Sequence, residues 1–178
     1  MKANLIEKIR FGIGVSGDED VDFDGESRLF GEAFLPEKWL ETDEFSPFEF
    51  YVGIINLDDF SVEKEVGGGY LYLFAEAKNF DFSRVSAKVR LFSGDIDAYT
   101  DFNEGFFDDE EVEKRSFLIV PSKTGDDCVL FPDGDDVVIV SIKSEFLPFE
   151  INGDVLEYRI KKADFDLKKF DKCFIKIK

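Results

Sequence analysis

The feature that most limits how this chain can fold is a series of four sequence blocks that recurs, in order, at an offset of 85 residues. Gly68-Gly69-Tyr70-Leu71-Tyr72-Leu73-Phe74 lies over Gly153-Asp154-Val155-Leu156-Glu157-Tyr158-Arg159. Asn79-Phe80-Asp81-Phe82 lies over Asp164-Phe165-Asp166-Leu167, and both run on into a strand-like block, Lys88 to Phe92 over Cys173 to Ile177. Upstream, Val52 to Leu57 lies over Val137 to Ile142. Each unit reads as strand, loop, Gly-led strand, a turn centred on Phe-Asp, then strand. The series predicts an α+β fold, mainly antiparallel β-sheet, in one domain spanning residues 1–178. Its two pseudo-repeated halves cover about residues 28–100 and 115–178, and an acidic connector occupies residues 94–114.

Strand signals dominate the rest of the chain. Ile9, Phe11, Ile13 and Val15 alternate with Arg10, Gly12 and Gly14 in the pattern of a half-buried strand. Phe48 to Asn56 and Tyr70 to Ala75 are dense apolar runs rich in aromatic and β-branched residues. Further strands are expected at Ala87 to Phe92, Ser116 to Val120, Cys128 to Phe131, Val137 to Ile142, Leu156 to Ile160 and Phe174 to Ile177. Short helices are expected at Asn4 to Ile9, Asp58 to Glu65 and Asp164 to Phe170. The 22 Phe residues suit sheet cores and helix–sheet seams.

The order of these blocks resembles the YwqG-like family of uncharacterised bacterial proteins. The resemblance is carried by Gly31, Leu35-Pro36 and Trp39, and by Ile55-Asn56-Leu57. It continues through Gly69 to Phe74, then Gly153-Asp154, Ile160 and the stretch from Asp164 to Phe170. It departs at Ile54, where the family often has Gln, and at Leu40, where Pro is common. It implies a mainly β fold of two similar halves and brings no reaction with it.

Charge narrows the classes of partner. Lys and Arg number 22 against 40 Asp and Glu, a formal net charge of −18. A field of that sign repels nucleic acid and the anionic leaflet of a membrane, and it draws in basic proteins and cations. The distribution is uneven. Acids crowd Gly17 to Glu49 and Asp101 to Glu113, whereas Val155 to Lys178 is rich in Lys. No stretch is apolar enough for a membrane span, no signal peptide is apparent, and Cys128 and Cys173 are the only cysteines. The expected compartment is a reducing cytoplasm.

Catalytic constellations are scarce. The chain contains no His, which removes the commonest general base, metal ligand and partner of a Ser or Cys nucleophile. Gly67-Gly68-Gly69 leads into a strand and lacks the Lys-Ser/Thr ending of a phosphate loop. Asp20, Asp22, Asp24 and Gly25 copy the opening of an EF-hand calcium loop. Position eight is Ser27, however, and position twelve is Gly31 in place of the bidentate Glu. A solvated acidic loop is the simpler reading, with calcium the alternative. No cofactor is expected.

What remains is a binding surface. Glu104-Gly105-Phe106-Phe107-Asp108-Asp109-Glu110-Glu111-Val112-Glu113 sets two aromatics beside clustered carboxylates, the make-up of a hot spot for Arg and Lys. Two readings of the aromatics stand: Phe106 and Phe107 contact a partner, or they pin the loop to the core while the acids stay in water. The expected binding residues are Phe106, Phe107, Asp108, Asp109, Glu110 and Glu111. A second acidic loop through Asp18, Glu19, Asp20, Asp22 and Asp24 joins them. The expectation is a non-catalytic acidic protein that neutralises a basic protein, such as a nuclease toxin, in the manner of a bacterial immunity protein. The alternatives are a general interaction module, or an enzyme or calcium-binding domain built on carboxylates alone.

Overall fold

The computed structural model describes residues 1–8, 25–42, 44–60, 68–100, 102–107 and 115–178. The strand expected at Ile9 to Val15 lies outside these residues. Strands dominate the described residues, and every pairing between them is antiparallel. Among the described residues no helix is long and apolar enough to cross a membrane.

The larger sheet runs in the order β6 (Val85–Phe92), β5 (Tyr70–Ala77), β4 (Glu49–Asn56), β2 (Arg28–Leu29), β8 (Ser116–Pro121), β1 (Lys2–Lys8), β9 (Asp126–Asp127). The smaller sheet runs β10 (Val129–Asp133), β11 (Asp136–Lys143), β12 (Val155–Lys161), β13 (Phe174–Ile177). A two-stranded ribbon pairs β3 (Ala33–Leu35) with β7 (Ala98–Thr100). Among the described residues, two short α-helices accompany the sheets, α1 (Glu37–Glu41) and α2 (Lys162–Asp166).

The start of the chain differs from expectation. A helix was expected over Asn4 to Ile9, but Lys2–Lys8 is strand β1, paired with β8 along Ala3 to Lys8. The cause is alternation: Ala3 is buried and Leu5 packs on the core, while Asn4 and Ile6 are exposed. The Asp58 to Glu65 helix reduces, in its described part, to a 3₁₀ turn at Leu57–Phe60. Asp164 to Phe170 divides into α2 and a 3₁₀ turn at Phe170–Lys172.

Two three-stranded meanders, β4-β5-β6 and β11-β12-β13, sit in different sheets. Strand β12 begins 85 residues after β5. Each meander carries one extra residue on its first strand: Val52 bulges out of the β4–β5 ladder and Ile139 out of β11–β12. Opposite them stand Leu73 and Phe74 in one meander, Tyr158 and Arg159 in the other. The strand before each loop is closed in the same way, by Leu57 N–H to Gly69 C=O and by Ser144 N–H to Asp154 C=O. The equivalence of β4 and β11 therefore falls two residues beyond the alignment of Val52 with Val137.

The main core lies between the sheets. Phe50, Val52, Ile55, Leu71, Leu73 and Ala75 meet Ile139, Val140, Ile142, Leu156, Tyr158 and Ile160. The bulge at Val52 resets the alternation of β4, so Tyr51 and Ile54 turn to the opposite face. There they join Tyr72, Phe74, Ala33, Leu35 and Trp39 in a second core under the ribbon and α1. Burial on both faces explains why β4 and β5 are continuous apolar runs. The outer face of the smaller sheet is different. Glu157 and Arg159 occupy the places of Tyr72 and Phe74, and Arg159 pairs with Glu157, Asp133 and Asp136.

Two glycines, Gly31 and Gly69, are required by geometry. Gly31, at φ +74°, brings the chain against Ser116, where a Cβ would come within 2.7 Å of the Ser116 Cβ. Gly69, at φ +129°, lies against the Phe92 carbonyl.

Candidate functional site

The two residues expected as aromatic anchors are placed by the loop 102–107. Asn103 fixes that loop to the sheet. Its carboxamide oxygen accepts the Tyr51 N–H and its Nδ2 donates to the Tyr51 carbonyl, both at 2.8 Å. Gly105, at φ +70°, turns the chain so that Phe106 and Phe107 follow.

The two aromatics have different fates. Phe107 is 8% exposed and belongs to the main core, beside Phe50 and Phe149. Phe106 is half-buried. Its ring lies 5.0 Å from Phe50, 5.3 Å from Phe80 and 6.0 Å from Phe82. Pinning to the core thus accounts for Phe107, while Phe106 lies between the core and an aromatic surface.

That surface is made by Phe80, which the sequence shows only as part of a repeated turn. Phe80 is 53% exposed and also packs edge-on to Phe48 at 5.4 Å. It follows β5 on two successive left-handed residues, Asn79 at φ +57° and Phe80 at φ +58°. A left-handed conformation is uncommon for a bulky side chain and costs of order 1–3 kcal/mol. Here it holds an aromatic ring outward against Phe48 and Phe106. The available signal was the dipeptide itself, since Asn tolerates this conformation.

The acidic residues Asp108, Asp109, Glu110 and Glu111 lie outside the described residues, as do Asp18, Glu19, Asp20, Asp22 and Asp24. Their neighbours are placed: Glu104 is exposed, and the chain continues from Phe107 directly into the acidic run. Residues 94–107 are not a plain connector, because β7 completes the ribbon and Asn103 and Phe107 are buried.

The cysteines are separate and unactivated. Cys128 is buried and Cys173 half-buried, and both are free thiols. Burial pushes the Cys128 thiol up, and it pushes Cys173 up to about 12. Both are therefore protonated near neutrality, the opposite of a nucleophilic cysteine. Among the described residues no group of three Asp, Glu or Cys side chains converges as metal ligands. The densest charged cluster is Arg159 with its three carboxylates and Lys161 and Lys178. Arg159 and Glu157 are buried at its centre while Asp133, Lys161 and Lys178 reach solvent at its rim, and every charge in it has an ion-pair partner. No protein-family model matches the chain, and no curated protein or solved structure matches it.

Proposed function

We propose that this chain is a non-catalytic acidic binding protein that neutralises a basic protein by stoichiometric association, in the role of a bacterial immunity protein acting on a toxin. The observation that carries the reading is Phe80. A half-exposed ring, held out by two left-handed residues, packs at a tilt against Phe106, two residues before the acidic run begins in the sequence. An aromatic anchor beside clustered carboxylates suits a surface patterned with Arg and Lys. The net charge of −18 speeds encounter with such a partner. A toxin that cleaves nucleic acid needs a cationic cleft, which an acidic protein can occupy by matching the charge of phosphate.

Three further readings belong to the same proposal. The meanders β4-β5-β6 and β11-β12-β13 are copies of one unit, supported by the equivalent bulges and closing hydrogen bonds. The chain is YwqG-like in its order of motifs. It works in a reducing cytoplasm, where two free thiols are at home.

The test is affinity capture with the tagged full chain from lysate of its source organism, at low and at high salt. The expected result is one basic protein, retained at low salt and released at high salt. The variants F80A and D108K/D109K should each weaken retention at least tenfold. Retention of no basic protein, or retention untouched by both variants, overturns the reading.

A further inference from the structure

Strand β1 offers a second binding element, distinct from the Phe80 surface. On one side it pairs with β8, where the Lys2 carbonyl accepts the Ser122 N–H at 2.9 Å. Backbone groups alternate in direction along an antiparallel strand, so those of Asn4 and Ile6 also face β8. The N–H and C=O groups of Leu5 and Glu7 then point the other way. On that side β9 covers only Lys2 and Ala3, and among the described residues no strand pairs with β1 beyond them.

A cavity of about 600 Å³ adjoins this edge. Leu5 forms part of its wall, together with Val155 of β12 and Phe146 of the 3₁₀ turn that follows β11. Ser141 lies within it, and Asp126 and Asp127 stand exposed among its lining residues. Lys143 engages Asp126 at 3.3 Å.

We propose that edge and cavity together accept an extended peptide segment of a basic protein, added as a strand beside β1. Main-chain bonds to Leu5 and Glu7 would hold it. One apolar side chain would enter the cavity, and a neighbouring Lys or Arg would meet Asp127. Strand addition at a free edge, with pockets reading alternate side chains, is an established way to bind peptides. A second copy of this chain is a poor occupant, because two bodies of charge −18 repel. The positive sign of the partner rests on the binding role proposed above, whereas the strand edge does not.

The test is selection of nine-residue peptides from a random display library on the full chain, followed by titration of the synthetic peptides. Peptides alternating apolar and basic residues are expected. They should bind S141F, which fills the cavity, at least tenfold more weakly than wild type, and bind F80A as well as wild type. Should S141F fail to fold, the charge reversal D127K carries the same expectation. The amides of Leu5 and Glu7 should exchange quickly in the free protein and slowly with peptide bound. Amides already protected in the free chain, no selected peptide, or peptides bound equally by wild type and S141F overturn the proposal. Peptides lost on F80A alone would also overturn it while leaving the Phe80 reading standing.

Discussion

Beyond the end of β2 the main chain of Tyr51 would face the interior with no strand beside it, and Asn103 supplies both missing hydrogen bonds. Asn103 is 2% exposed and Tyr51 wholly buried, so neither bond can be replaced by bulk water. The substitution N103A should therefore cost about 3 kcal/mol, from a buried N–H and C=O left unpaired at ~1–3 kcal/mol each. Urea unfolding would measure it, and the loop carrying Phe106 would loosen with it. The side chain of the same tyrosine makes the opposite prediction. The Tyr51 hydroxyl and the Arg28 Nε are buried, and neither has a hydrogen-bond partner among the described residues. Y51F removes an unsatisfied group from the interior and should raise stability by about 1 kcal/mol. A loss on Y51F would mean that a bound water or anion completes this spot. Little of this was legible in the sequence. Asn103 is one polar residue inside an acidic run, and no spacing shows that its amide stands in for a strand. Phe80 was legible as a turn residue but not as an exposed one, because exposure depends on where Phe48 and Phe106 arrive.

The elements divide by length in how plainly they can be read. Strands β4, β5, β11 and β12 were visible as apolar runs because each is long and buried. Strands β2, β3, β7 and β9 have two or three residues and exist only through partners far along the chain. Strand β1, expected as helix over Asn4 to Ile9, depends on a distant partner in the same way: the apolar residues Ala3, Leu5 and Ile6 fit either period until β8 pairs with them. The two meanders share a bulge and a sequence offset yet finish their outer faces differently, one with Tyr72 and Phe74, the other with Glu157 and Arg159. This gives a prediction for the smaller sheet. R159M leaves Glu157 buried with Lys178 as its remaining cation at 2.8 Å, and should cost roughly 3 kcal/mol. The double variant E157L/R159M removes both charges and should recover most of that loss, since well-packed apolar pairs often replace buried ion pairs at little cost. Thermal unfolding of the two variants, compared in a double-mutant cycle, would check it.

For the whole molecule, alkaline pH is the sharper probe of the core. Tyr51, Tyr72 and Tyr158 are each 0% exposed. Burial holds all three phenols above their ordinary range, and the hydroxyls of Tyr72 and Tyr158 donate to the carbonyls of Phe34 and Phe74. A pKa raised in the folded state favours the neutral form there. The stabilisation is complete below the unfolded value of about 10 and is lost as pH rises from there toward the folded values. These three tyrosines should ionise together, at the pH where circular dichroism reports unfolding. Ionisation of all three with the fold intact would contradict their burial. Such coupling could not be read from composition, which shows the tyrosines but not the two cores that enclose them.

The position of β1 also has a consequence in time. Among the described residues its strand partners begin at Ser116 or later, β8 along one side and β9 at Lys2 and Ala3 on the other. A ribosome therefore makes this strand well before either neighbour and cannot seat it between them until Ser116 and Asp126 have followed. Until Ser116 emerges, Lys2 to Lys8 has neither neighbour, so this strand waits for more than a hundred later residues before it finds its place in the sheet.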